Sequence, residues 1–321
     1  MWKTVLRRVL LMIPQLFILS IIVFALGQAM PGDPFTGLIT PQTKPEAIEA
    51  LREKAGLNNP IPVQYKDWMV RILRDGNFGQ SYTYKMPVST LVGNRVANTL
   101  WLSLLTVILI YLIAIPLGIN AGRYQDSAFD KGVVIYNFIS YAIPSFILGL
   151  IFLLVFGYKL HWFPTGGSVD LGFKKGTFDY AMNKLYHMIL PAITGAVLGT
   201  TGTIQYLRNE VIDAKTQDYV KTARSKGVPT DKVYSHHIFR NSFLPIAAFL
   251  GFTITGLLSG SVFIETIFSY PGMGELFISS INSRDYAVMN TLVLLYGFLT
   301  LLGSLLSDII MTIVDPRIRI E

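Results

Sequence analysis

The 321-residue chain has no cysteine and only four histidines. The first absence excludes a disulfide, a thiolate metal site and a cysteine nucleophile. His161, His187, His236 and His237 are either scattered or grouped in a basic polar loop, so no metal-binding or nucleophile–base pattern points to a membrane-embedded hydrolase. A phosphate-cradling Gly-x-x-x-x-Gly-Lys-Ser/Thr loop is missing too, which removes the usual nucleotide site. Acidic residues are lacking in the middle of every long apolar stretch, where a proton- or sodium-coupled carrier keeps them. Glu265 and Asp308 sit at the ends of such stretches, where snorkelling or interfacial pairing accounts for them.

Charge is not merely scarce; it is missing in blocks. Six stretches of 22 residues or more contain no Asp, Glu, Lys or Arg: Val9–Gly32, Val96–Gly122, Gly132–Tyr158, Leu185–Leu207, Asn241–Ile264 and Tyr286–Ser307. A hydrocarbon core about 30 Å thick is crossed by about 20 apolar residues in a helix. Backbone groups inside lipid must bond within the segment, and continuous rather than alternating hydrophobicity selects helices over a barrel. The expected fold is therefore an all-α integral membrane bundle of six transmembrane helices. A soluble bundle would show shorter apolar runs and a charged face on each helix.

The net charge of +7 reads as topology rather than as nucleic-acid binding. With an inside start, the segments 1–8, 123–131, 208–240 and 308–321 hold 14 of the 27 Lys and Arg in 64 residues, and the other 13 are spread over 110 outer residues. That asymmetry places both termini in the cytoplasm. The first run has a rival reading, a cleavable signal peptide, because Lys3, Arg7 and Arg8 precede it and Ala25-Leu26-Gly27-Gln28-Ala29 closes it. Its apolar part is longer than the roughly 7–15 residues of a signal core, which favours a retained helix. The expected divisions are an N-terminal helix over 1–32, an outer loop over 33–95, a five-helix core over 96–313 containing the cytoplasmic loop 208–240, and a tail over 314–321.

The outer loop is patterned. Thr43-Lys44-Pro45-Glu46 fits a capping box ahead of Ile48 and Leu51, with Gly56 as a stop. Pro62 opens a second helix whose apolar face is Tyr65, Trp68, Met69, Ile72 and Leu73, and Asp75-Gly76 ends it. The pair either lies on the membrane surface or forms a platform for an external partner. Farther on, Ser269-Tyr270-Pro271-Gly272-Met273-Gly274 breaks helix directly after the fifth run. With Glu265 it forms either a re-entrant scoop at a pore mouth or an ordinary surface turn. Pro116, Pro144, Pro191 and Pro245 fall inside apolar runs as candidate kinks, or as packing features. Gly118, Gly149, Gly195, Gly199, Gly251, Gly256 and Gly303 suggest close helix contacts.

The longest cytoplasmic loop, 208–240, carries short helical spacing (Val211, Lys215, Tyr219, Ala223; Ile212, Thr216, Val220) before Gly227 and Pro229 interrupt it. A rigid projection there could seat in a partner's groove: Ala223 is small enough for close approach, Gly227 permits a sharp exit, and Arg224 and Lys226 reach for carboxylates. A solvated basic face is the alternative.

Tyr219-Val-Lys-Thr-Ala-Arg-Ser-Lys-Gly227 resembles the coupling motif of ABC importer permeases, in which Glu-Ala-Ala is followed by three residues and Gly, with Leu-Pro downstream. Ala223 and Gly227 match, Lys221 and Thr222 stand where the pattern has Glu and Ala, and Leu244-Pro245 comes about five residues later than in the shortest form of the motif, departures that resemble the oligopeptide and dipeptide branch. Pro31-Gly-Asp-Pro34, Pro62-Val-Gln-Tyr65, Asn77-Phe-Gly-Gln-Ser81, Pro87-Val88, Ile143-Pro-Ser-Phe146, Glu265 to Gly274 and Arg284-Asp-Tyr286 resemble the oligopeptide, dipeptide and nickel branch of that family, and its first permease of the pair. The resemblance implies a type I importer permease in a bacterial or archaeal cell membrane that is not itself an enzyme. It implies a second homologous permease, two ATP-binding subunits holding ATP and Mg, and an extracytoplasmic peptide-binding protein as partners, with no cofactor in this chain. The expected cargo is a peptide. Nickel complexes or other small solutes are the rivals within the family, and an ATP-independent channel or secondary carrier is the rival outside it.

Overall fold

The computed structural model describes residues 2–30, 35, 45–54, 56–242 and 244–314. The Pro31–Pro34 motif, the Thr43-Lys44 half of the capping box and the tail beyond 314 lie outside them. Helix α1 (Trp2–Ala29) runs through Pro14 and exposes Leu10, Ile13, Phe17, Ile18, Ile21 and Ile22, the surface expected toward lipid. Two shorter helices follow. α2 (Pro45–Lys54) ends short of Gly56, and α3 (Ile61–Asp75) has Pro62 in its first turn. Gly76 closes α3 at φ 59°, its N–H returning to the carbonyls of Arg71 and Ile72. Trp68 is buried against Phe24 of α1, and Tyr65 hydrogen-bonds Ser20, so α3 lies against the end of the first helix.

A two-residue antiparallel ladder, β1 (Gln80–Ser81) with β2 (Met86–Pro87), is the one departure from all-α among the described residues. It leads into α4 (Val88–Arg123), which starts eight residues before the charge-free run because Arg95 is held at 3.2 Å by Glu275 and need not end the helix. Next come α5 (Ala128–Ala142) and α6 (Ser145–Phe152), the latter continued by a π-helical turn, Leu153–Lys159. The long α7 (Phe178–Ala214) then packs along α4. Glycine brings these two together: a Cβ on Gly118 would lie 2.8 Å from that of Leu207, and one on Gly122 would lie 2.8 Å from the Arg208 carbonyl.

The segment after α7 holds α8 (Asp218–Ser225), α9 (Thr230–Lys232), a π-helical turn at Val233–Ile238 and α10 (Phe239–Ser242). The chain closes with α11 (Leu244–Ser259), α12 (Val262–Ile267), α13 (Met273–Asn282) and α14 (Tyr286–Val314). α14 packs against both α11 and α1, and Arg8 meets Asp308 at 2.9 Å, the interfacial pairing expected of that carboxylate.

Among the described residues, four helices are long and apolar enough to cross a membrane: Val5–Ala29, α4, α7 and Tyr286–Ile313. The other two charge-free runs are not single rods. The run 132–158 bends by 99° between α5 and α6, at Ile143-Pro144, where proline removes an N–H and forces its predecessor out of helix. The run 241–264 is divided between α11 and α12 by Gly260, at φ 69°, and Ser261. Of the four candidate kinks, Pro144 thus makes a sharp bend, Pro116 and Pro191 lie inside continuous helices, and Pro245 is the second residue of α11, where proline breaks no bond. Gly149, Gly195, Gly199, Gly251 and Gly303 face close neighbours, but Gly256 faces open space.

Candidate functional site

Two assemblies outside the long helices concentrate the singled-out residues. At one end of the bundle, α7 stops at Ala214, and a tight turn, in which Thr216 Oγ1 donates to the Asp213 carbonyl and Gln217 N–H to that of Ala214, starts α8. Val220 and Ala223 of α8 are buried with Val211 and Ala214 of α7 and with Val233, Tyr234 and Ile238. Ala223, at 5 % exposure, therefore does not face a partner; its small side chain lets α8 settle on its own chain, and this corrects the expectation. The opposite face is polar. Asp218, Lys221, Thr222, Arg224 and Lys226 are exposed, Tyr219 is 37 % exposed, and Lys221 pairs with Asp218 at 2.9 Å. Gly227 leaves α8 at φ 73°, the left-handed exit expected of it.

Ion pairs root this projection. Arg208 makes a bidentate pair with buried Asp130 of α5, at 2.6 and 2.8 Å, and Asp130 also accepts from the Asp126 N–H. Arg123, at the end of α4, reaches Asp231 at 2.9 Å and lies 4.9 Å from the Tyr234 ring centre. Burial, with the Arg208 charge added, draws the Lys215 ammonium below its ordinary pKa.

At the opposite end, Glu265, Tyr270, Gly272 and Gly274 are buried and Pro271 partly so, which rules out an ordinary surface turn. Glu265 of α12 is fully enclosed. Its carboxylate accepts from the N–H groups of Gly274 (2.6 Å) and Glu275 (3.2 Å) and from the Thr99 hydroxyl (2.9 Å), while Thr99 Oγ1 accepts from the Met273 N–H (2.7 Å). The first three N–H groups of α13, which no intrahelical carbonyl can satisfy, are thus taken by α12 and α4. Any Cβ on Gly272 would collide with the Glu265 carboxylate. Asn98 donates to the Pro271 carbonyl and accepts from Lys184 Nζ at 2.8 Å, and Tyr270 Oη donates to the Asn98 carbonyl. Glu265 is therefore a buried clamp, not the snorkelling end-charge its position suggested.

The fold also joins two motifs far apart in sequence: Ser81 Oγ donates to Asp285 at 2.5 Å, and the Thr83 N–H donates to the same carboxylate. Thr99, Asn98 and the Asp130–Arg208 pair escaped sequence reasoning. The one signal for the last was that Arg208 directly follows the run 185–207 and Asp130 lies two residues ahead of the run 132–158. No group of three or more His, Asp or Glu among the described residues could hold a metal ion.

Residues 114–320 match the family described as binding-protein-dependent transport system inner membrane component, and residues 1–108 match the N-terminal part described for such membrane components. The chain belongs to this family. It is a multi-pass membrane permease of the ABC transporter class. It is 39 % identical to the oligopeptide transport system permease protein AppB of Bacillus subtilis over 98 % of both chains. A Brucella abortus protein named for a peptide transport system permease is 34 % identical over the whole of both chains, and a Sinorhizobium fredii protein named for a peptide ABC transporter permease is 31 % identical over 98 % of both.

Proposed function

We propose that this permease forms half of the conduit of a peptide importer and is driven by separate ATP-hydrolysing subunits seated on α8. The observation that carries the reading is the construction of α8: an apolar underside fixed to the end of α7, a charged upper face, and Arg224 and Lys226 without an ion pair among the described residues. A helix held this way moves with the long helix from which it hangs, as coupling to a motor requires. The names of the relatives support peptide as cargo. On this reading the chain crosses six times with both termini inside, the bent pair α5–α6 and the divided pair α11–α12 each serving as one crossing. The segment 265–285 stands at the outer mouth, and a sister permease, two ATPases holding ATP and Mg, and an external peptide-binding protein complete the complex. α2 and α3 form the platform for that protein.

Reconstitution of the whole complex tests this. Labelled peptide should accumulate in liposomes only when ATP is supplied, and the chain alone should carry no flux. Transport of a metal chelate but no peptide would overturn the cargo, and accumulation by the isolated chain would overturn the mechanism.

A further inference from the structure

The exposed surface of a membrane-crossing helix reveals what it faces. α1 and α4 present large aliphatic and aromatic side chains, with Leu112 of α4 65 % exposed and Ile13 of α1 62 % exposed. The second half of α7 differs. Its exposed positions there include Gly202, Gln205, Tyr206 and Asn209, three to four residues apart and hence on one face. Gly202 looks into open space: a Cβ placed on it would meet nothing within 4 Å. Gln205 Nε2 donates to Asn209 Oδ1 at 3.4 Å, and Asn137 of α5 donates to Gln205 Oε1 at 3.5 Å, both long enough to be weak. Asn137, 6 % exposed, keeps its Oδ1 buried and unpartnered at the edge of this face, as does Thr201 its Oγ1 one turn from Gln205.

Such groups are costly against hydrocarbon and stable against water or a polar ligand. The four α7 residues of this face carry no formal charge; Arg208 is held by Asp130, and Glu210, one turn beyond Tyr206, marks the end of the face. Amide side chains offer both donors and acceptors, as does the repeating N–H and C=O of an extended peptide.

We propose that Gly202, Gln205, Tyr206 and Asn209 of α7, with Asn137 of α5, line the cytoplasmic half of the cargo route and hydrogen-bond the peptide backbone, admitting cargo without regard to side-chain charge. This rests on the peptide-import reading above. A glycine-floored, uncharged face holds backbone loosely enough to release it, whereas an ionic site would select by charge and retain its cargo.

The lack of native cysteine makes the test direct. In the assembled complex, Gln205→Cys and Asn209→Cys should react with a membrane-impermeant methanethiosulfonate reagent applied to the cytoplasmic side, Leu112→Cys on α4 should resist it, and transported peptide should slow the first two. The double variant Gln205→Ala/Asn209→Ala should lower uptake of neutral, acidic and basic peptides alike by about tenfold, the scale of two lost neutral hydrogen bonds. If Gln205→Cys is inert in the complex but reactive in the chain alone, the face is covered by the sister permease and the proposal falls. It also falls if the double variant affects only peptides of one charge or leaves uptake unchanged. Absence of peptide uptake by the unmodified complex would instead overturn the cargo reading.

Discussion

α8 and α13 are short helices at opposite ends of the bundle, yet they are held by different physics. α13 is pinned by polar bonds: Glu265 and Thr99 take its first three N–H groups, Tyr296 donates to the Met273 carbonyl, and Met273 and Leu276 are fully buried. α8 has an apolar underside and an exposed charged face. Directional bonds fix an element in one arrangement, since each leaves an unsatisfied group when broken. Apolar contacts carry no such direction; they hold α8 to the end of α7 and to Val233, Tyr234 and Ile238, so on the proposed reading α8 travels with α7 as one body while α13 keeps its place.

Four substitutions sharpen or break that contrast. The largest effect is expected from Arg208→Ala, which strands the buried Asp130 carboxylate at the root of α8; loss of about 3–5 kcal/mol should appear as a drop in the thermal midpoint of the detergent-solubilised protein. Glu265→Ala follows at about 3 kcal/mol, because the Thr99 hydroxyl and two α13 amides lose their acceptor; Glu265→Gln should recover much of it. An equal midpoint for Glu265→Ala and the unmodified chain would dissolve the picture of a pinned outer end. Gly227→Val puts a β-branched residue at φ 73° and should cost about 1–2 kcal/mol locally while separating ATP hydrolysis from peptide uptake in proteoliposomes. Normal coupling would remove α8 from the transmission. The double variant Arg224→Ala/Lys226→Ala should change stability by less than about 0.5 kcal/mol yet weaken ATPase capture in co-purification. Undiminished capture would mean that the charged face is only solvated.

The sequence legibility of these regions differs for related reasons. Charge-free length reports the cost of moving a segment from water to lipid, so 96–122, 185–207 and 286–307 emerged as long helices. It says nothing of straightness: the bend falls at Pro144, one of four candidate kinks that run length could not rank, and the break at Gly260-Ser261 was not among them. The turn chemistry of Asp75-Gly76 and Gly227 was legible, because a left-handed residue is a local demand. Which way Ala223 points was not, since a small residue suits a partner's surface and its own core equally, and only the positions of Val233 and Ile238 decide it. Glu265 was misread for want of Thr99, 166 positions away.

The first helix rests on the last, with Arg8 against Asp308 and Leu19 against Gly297. Roughly 250 residues separate them, and at about 5–20 residues per second a ribosome needs on the order of ten seconds to a minute to deliver the second after the first. Throughout that interval α1 must stand in the bilayer without its mate. Its broad aliphatic surface, interrupted by the exposed amide of Gln15 alone near mid-depth, suits it to wait.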